Sequence, residues 1–172
     1  METNSTIVTL HNLLDFNAGK FTCAENELKK SMPGWIGKAD SVLLKGVLQK
    51  YLDFTEQHIE KMESFFKEEQ FNSIALVNPV MDAFIKETDE SLLYCADAAV
   101  KDACLLACIQ DINHFKISKY GTASAFARDL GLDKAAALFY ELEINEKHID
   151  DRLSQLATHE INIKAKTAVL LP

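Results

Sequence analysis

The sequence is poor in residues that interrupt helices, with three prolines and six glycines among 172 residues. Strand-like alternation is almost absent as well, so long helices are expected and a sheet-based fold is disfavoured. Four cysteines occur, Cys23, Cys95, Cys104 and Cys108, with no C-x-x-C pair among them. Cys104 and Cys108 share a helix face at four-residue spacing, which is half of a metal site at most. All four fall in apolar helical patterns and read as buried free thiols in a reducing compartment. No stretch approaches the roughly 20 apolar residues that a membrane span needs. Met1 to Leu10 lacks the basic start and apolar middle of a secretory signal, so no membrane association and a cytoplasmic location are expected. Positive charge is scarce: 18 Lys and Arg against 26 Asp and Glu give a net charge of −8, with no basic block, which disfavours nucleic acid as a partner. There is no glycine-rich phosphate loop and no nucleophile elbow, so Rossmann and P-loop enzymes are excluded and nucleophilic catalysis has no support.

What is present is apolar periodicity. With 48% hydrophobic and 26% charged residues, a chain of this length buries a core without disulfides, and one domain over residues 1–172 is expected, its core spanning about 8–162. Leu10, Leu13, Leu14, Phe21, Ala24, Leu28 and Met32 make one stripe of a first helix, expected to stop at Pro33-Gly34. Asp40 or Ser41 caps a second helix that carries Leu44, Leu48, Tyr51, Ile59, Met62 and Phe65. Asn78-Pro79, a cap followed by a first-turn proline, opens a short helix through Ile85. A third long helix is expected from about Ser91 to Lys119, broken by Gly121, with a separate short turn from Ala123 to Leu130. Asp133 then caps a last helix whose seam is Leu138, Leu142, Ile149, Leu153 and Leu156. Two helix pairs joined by a long connection that carries a short helix fit a four-helix bundle with a crossover. Residues 163–172 read as a tail able to fray.

Five stretches in order along the chain resemble the YciE/YciF family. Ala24-Glu25 with Leu28 and Met32-Pro33 is similar to its first-helix signature. Residues 81–87 (MDAFIKE) resemble its "AM-x-GLI-x-E" segment, and Asp102 with Leu105 and Leu106 its "D-x-x-LI" opening. Residues 114–122 (HFKISKYGT) resemble "EHYEIAxYGT", and Glu146-Lys147 with Asp150, Leu153 and Leu156 resembles "EEKxxDxxLxxLA". The resemblance implies an all-α ferritin-like bundle, a homodimer, an association with bacterial stress, and a dinuclear iron or manganese site in the core.

That site needs several convergent carboxylates, because two cations in a dry core must be neutralised. The resemblance places Glu25 and Glu146 at two ligand positions. Elsewhere it meets substitutions: Phe54 stands where a glutamate is expected on the second helix, and Asn113 and Lys116 stand where the third helix would offer two carboxylates. The expectation is therefore a dismantled, metal-free centre, no cofactor, and a structural or interaction protein. In one reading Lys116 supplies the charge that metal would have supplied, pairing with Glu25 or Glu146; in the other it snorkels to the surface. The alternative function is a metal-binding or iron-oxidising protein that uses Glu25 and Glu146 together with Glu87, Glu143 or Asp150. Asp53, Glu56, Gln57, His58 and Glu60 point around their helix and read as a solvated face. His114, His148 and His159 read as surface or interface histidines.

Overall fold

The computed structural model describes residues 6–69 and 76–166. Among them only helices occur: α1 (Leu10–Lys38), α2 (Val42–Glu68), α3 (Pro79–Tyr94), α4 (Ala98–Asp129), α5 (Asp133–Leu156), a π-helical turn (Ala157–Ile161) and α6 (Asn162–Ala165). The long helices pack as two antiparallel hairpins, α1 with α2 and α4 with α5, and α3 lies across α1 and α4. The crossover expected from the sequence is thus present. The tail from 167 onward lies outside the described residues.

Asp102 shows how the hairpins are pinned. Its carboxylate, near the start of α4, accepts the backbone N–H of Asp40 at 2.8 Å and of Ser41 at 2.7 Å, so α2 and α4 begin at the same end of the bundle. Ser41 is the cap residue of α2, its hydroxyl accepting from Leu44 N at 3.2 Å, and it donates to Glu160 in the π turn. Asp102→Ala strands two N–H groups, one of them on buried Ser41. A loss of about 1–3 kcal/mol is expected, read as a lowered urea midpoint with unchanged slope; an unmoved midpoint would show that solvent satisfies this end equally well.

Several helix boundaries differ from expectation. α1 continues through Pro33 to Lys38, because Trp35, 1% exposed, anchors the last turn and donates its indole N–H to Asp89 at 2.9 Å. Pro33 forfeits one backbone bond, to a carbonyl on exposed Lys29, where water can replace it. Ser91 belongs to α3, and α4 starts later, capped by Asp97 accepting from Val100 N at 3.0 Å. Gly121 lies inside α4, which runs on over residues 123–129; it is a close-approach glycine, since a Cβ there would sit 3.1 Å from the Glu143 carboxylate of α5. The break comes at Gly131, with φ of 70°, a left-handed position that glycine takes without cost. Asp133 is the first residue of α5, not its cap; Leu132 stands there with no side-chain bond.

The core divides into two apolar clusters. One joins Leu28, Met32, Trp35, Leu48, Leu105, Ile109 and Leu153; the other joins Leu14, Phe21, Met62, Phe139 and Leu142. Between them lies a layer of buried polar side chains.

Candidate functional site

All four long helices contribute to that layer: Glu25 from α1, Tyr51 and His58 from α2, Asn113, Lys116 and Tyr120 from α4, and Glu146 from α5. Each lies on the apolar face of its helix, so each is carried inward by the packing of its neighbours. Glu25, His58, Asn113 and Glu146 are fully inaccessible, and Lys116 is 2% exposed. Isolated charges cannot persist there; burial is tolerated because the groups face one another.

Lys116 Nζ lies 3.0 Å from Glu25 Oε2 and 2.5 Å from Glu146 Oε1, bridging the two carboxylates. Those three atoms meet by charge and proximity without hydrogen-bond alignment. The ammonium also sits 4.7 Å from the centre of the Tyr51 ring. The second oxygen of each carboxylate takes directed donors. Tyr51 OH donates to Glu146 Oε2 at 2.7 Å, and Asn113 Nδ2 donates to the same atom at 2.8 Å and to the Glu146 carbonyl at 3.0 Å. Tyr120 OH donates to Glu25 Oε1. His58 Nδ1 is 3.2 Å from Glu25 Oε1 and 3.6 Å from Glu146 Oε1, while Asn145 meets its Nε2 at 3.3 Å. Two carboxyl groups thus share one ammonium and take hydrogen bonds from Tyr51, Asn113 and Tyr120.

The field of this cluster fixes protonation. Burial by itself would raise the Glu25 carboxyl, but Lys116, His58 and Tyr120 outweigh it and hold its pKa at about 2. Burial would equally lower Lys116, yet Glu146 and Glu25 win and raise it above its ordinary value. Both tyrosines are pushed well above theirs, by burial first and then by Glu146 beside Tyr51 and Glu25 beside Tyr120. The centre therefore holds a carboxylate and an ammonium together with neutral phenols.

Of the residues singled out in the sequence, Glu25, Asn113, Lys116 and Glu146 come together in this layer. Phe54 does not enter it: partly buried, it lies parallel to His58 with ring centres 6.4 Å apart, and Lys50 Nζ sits 4.6 Å from its ring centre. His58, assigned to a solvated face, is fully buried and corrects that expectation; Asp53, Glu56, Gln57 and Glu60 do remain at least partly exposed. The signal was available, because Leu48, Tyr51, Thr55 and Met62 define an inward phase on which His58 falls and Phe54 does not. Glu87 is exposed, Glu143 pairs with Lys147 at 2.6 Å and Asp150 with His114 at 2.8 Å, so the alternative carboxylates lie outside the layer. His114, His148 and His159 are at the surface. Glu25, His58 and Glu146 each present one ligand-type atom within 4.8 Å of the others.

A crossover bundle of four long helices with a charged, tyrosine-flanked layer at mid-height is a ferritin-like protein. The family profile described as a domain of unknown function, DUF892, matches residues 10–166. The chain belongs to this family, that of YciF: it is 30% identical over 144 residues to Protein YciF of Escherichia coli K12, covering 83% of this chain and 87% of the relative. The crystal structure described as the E. coli stress protein YciF superposes with a TM-score of 0.85 at 25% identity, over 91% of this chain and 99% of that one. YcfI of Rhodopseudomonas palustris, described as a proposed structural protein, gives 0.84 at 30% identity, over 88% and 96%. An Anabaena variabilis protein with DJ-1/ThiJ/PfpI-like and ferritin-like domains gives 0.58 at 18% identity, covering 96% of this chain and 40% of that one, a likeness of fold alone. Among the described residues no helix is long and apolar enough to cross a membrane.

Proposed function

We propose that this chain is a metal-free, non-enzymatic ferritin-like protein in which Lys116 replaces the charge of a dinuclear centre, and that it acts as a structural or interaction protein. The observation that carries the reading is the Lys116 ammonium in contact with both Glu25 and Glu146 in a closed core. A dinuclear site requires carboxylates enough to neutralise two cations, and the layer offers two, already countered by a lysine. The donor set therefore does not fit a pair of metal ions. A relative described as a proposed structural protein agrees with a structural role, and one described as a stress protein agrees with a setting in stress. A cytoplasmic homodimer serving a bacterial stress response is part of this proposal.

A second reading rests on the Glu25, His58 and Glu146 atoms that lie within 4.8 Å of one another, which could hold one iron or manganese ion if Lys116 swung away. Metal analysis separates the two. Protein purified without chelator and loaded with ferrous iron under anaerobic conditions is expected to retain less than about a tenth of an equivalent. One bound iron per chain supports the mononuclear reading, and two would restore an oxidase or storage role.

A further inference from the structure

Most of the apolar periodicity is spent on the core, but one end of the bundle keeps a surplus. Beside buried Leu44 and Leu92, the adjoining Val42, Leu43, Leu93 and Tyr94 are exposed, Val42 at 80%, Leu93 at 82% and Tyr94 at 89%. Val100 in the first turn of α4 and Ile163 in α6 are exposed as well. All six lie at the same end. Asp102 holds the start of α2 against the start of α4, while Asp89 accepts the Trp35 indole N–H and lies 3.4 Å from Lys38 Nζ, which sets the end of α1 beside the last turns of α3. Ile161 and Lys164 line one small cleft with Ser41 and Ala99, which brings α6 to this end. Charge is scarce here: residues 93–100 hold a single charged side chain, Asp97, and its carboxylate is engaged in capping α4. The four cysteines, expected to be buried, are free and half-buried, Cys95 among them at this end.

We propose that this end of the bundle is the face on which a second copy of the chain docks, with Leu93 and Tyr94 as its anchors.

Area, shape and charge select a second copy. Side chains of this size offer roughly 150–200 Å² each when fully open, so the six leave on the order of 700 Å² uncovered. That exceeds the ~300–600 Å² of the largest patch on a typical monomer and comes close to the ~800 Å² that each partner of a stable complex contributes. An isologous interface must also fit itself, because the same patch supplies both sides. Knobs and recesses both occur here: Leu93 and Tyr94 project, while exposed Gly37, Ala96 and Ala98 leave low ground, a Cβ on Gly37 meeting nothing within 4 Å. Charges of both signs stand at the edge. The Asp40 carboxylate and the Lys101 ammonium have no ion-pair partner among the described residues, and a two-fold axis across the patch presents each to the other on the second copy. A partner of one net charge would call for a rim of the opposite sign instead.

Tyrosine is among the residues that most often carry binding energy at interfaces, since its ring brings a large apolar area while its hydroxyl finds a polar partner or water. The shortage of charge around Tyr94 matches the centre of an interface, where charged side chains are depleted. Docking here leaves the charged layer closed, because Glu25, Lys116 and Glu146 lie at mid-height between the two apolar clusters. The proposal deepens the homodimer of the proposed function and rests on it.

Sedimentation equilibrium of the full chain across the micromolar range is expected to give twice the chain mass of 19.3 kDa. Leu93→Glu with Tyr94→Glu puts two charges into the patch and is expected to weaken the dimer at least about hundredfold; Tyr94→Ala, which adds no charge, should weaken it about tenfold. Tyr140→Glu sets the same charge on an exposed aromatic of α5 near the opposite end and is expected to leave the dimer unchanged. Matching helical spectra establish that each variant is folded. A parent that is monomeric throughout overturns the proposal together with the homodimer and gives the patch to another occupant. A dimer that withstands both the paired glutamates and Tyr94→Ala, or that Tyr140→Glu separates equally, overturns this face alone and leaves the homodimer standing.

Discussion

Lys116→Ala is expected to lose about 3–5 kcal/mol of folding stability, because it leaves Glu25 and Glu146 facing each other in the core without a cation. At this chain length that is a fall of roughly 10 °C or more in Tm. The same chemistry predicts a recovery. Replacing the whole charged set, Lys116→Met with Glu25→Gln and Glu146→Gln, removes the uncompensated charge and is expected to restore most of the lost stability, since buried ion clusters often do no better than neutral side chains of similar shape. Calorimetry of the three proteins reads both effects. A single variant that melts like the parent would mean that Lys116 is not held between the carboxylates in solution, and would remove the central support for the proposed function.

Acid should destabilise the protein through Glu25. Its carboxyl ionises at about 2 in the folded chain against an ordinary value of 4.5, so between these values the folded state binds fewer protons than the unfolded one. The stability it contributes is complete above the ordinary value and is lost as pH falls toward 2. The difference corresponds to roughly 3 kcal/mol at most. Lys116 acts at the other end: its raised pKa gives stability that is complete below 10.5 and lost as pH rises beyond it. Urea unfolding of the parent and of Glu25→Gln from pH 2 to pH 7 isolates the acid arm. The parent curve should descend more steeply than the variant's in the acid range, and parallel curves would show that Glu25 is not the responsible group.

The helices were legible where their signals are local. The Asn78-Pro79 start of α3 and the Ser41 cap of α2 rest on one side chain accepting one backbone N–H within three residues, which a sequence displays directly. Pro33 and Gly121 misled because their usual consequence was overridden from elsewhere. Trp35 gains enough by burial to carry α1 past the proline, and the approach of Glu143 explains the glycine without any break in α4. Four of the seven side chains of the charged layer were legible through the resemblance, Glu25, Asn113, Lys116 and Glu146. His58 was hidden among exposed polar neighbours, and the hydroxyls of Tyr51 and Tyr120 looked like ordinary core, because a tyrosine on an apolar stripe gives no sign of what its oxygen will meet.

The sequence by itself determined the helices, their apolar faces and the crossover topology, since periodicity and capping act within a few residues of each other. It also set the shortage of carboxylates, which is a matter of composition at fixed positions. Only the tertiary structure decided that Lys116 turns inward to bridge both glutamates instead of reaching solvent, and that His58 and the two phenols complete their shell. Those outcomes join residues 30 to 95 positions apart, and a charge finds its partner across such distances only after the apolar faces have packed and excluded water around them.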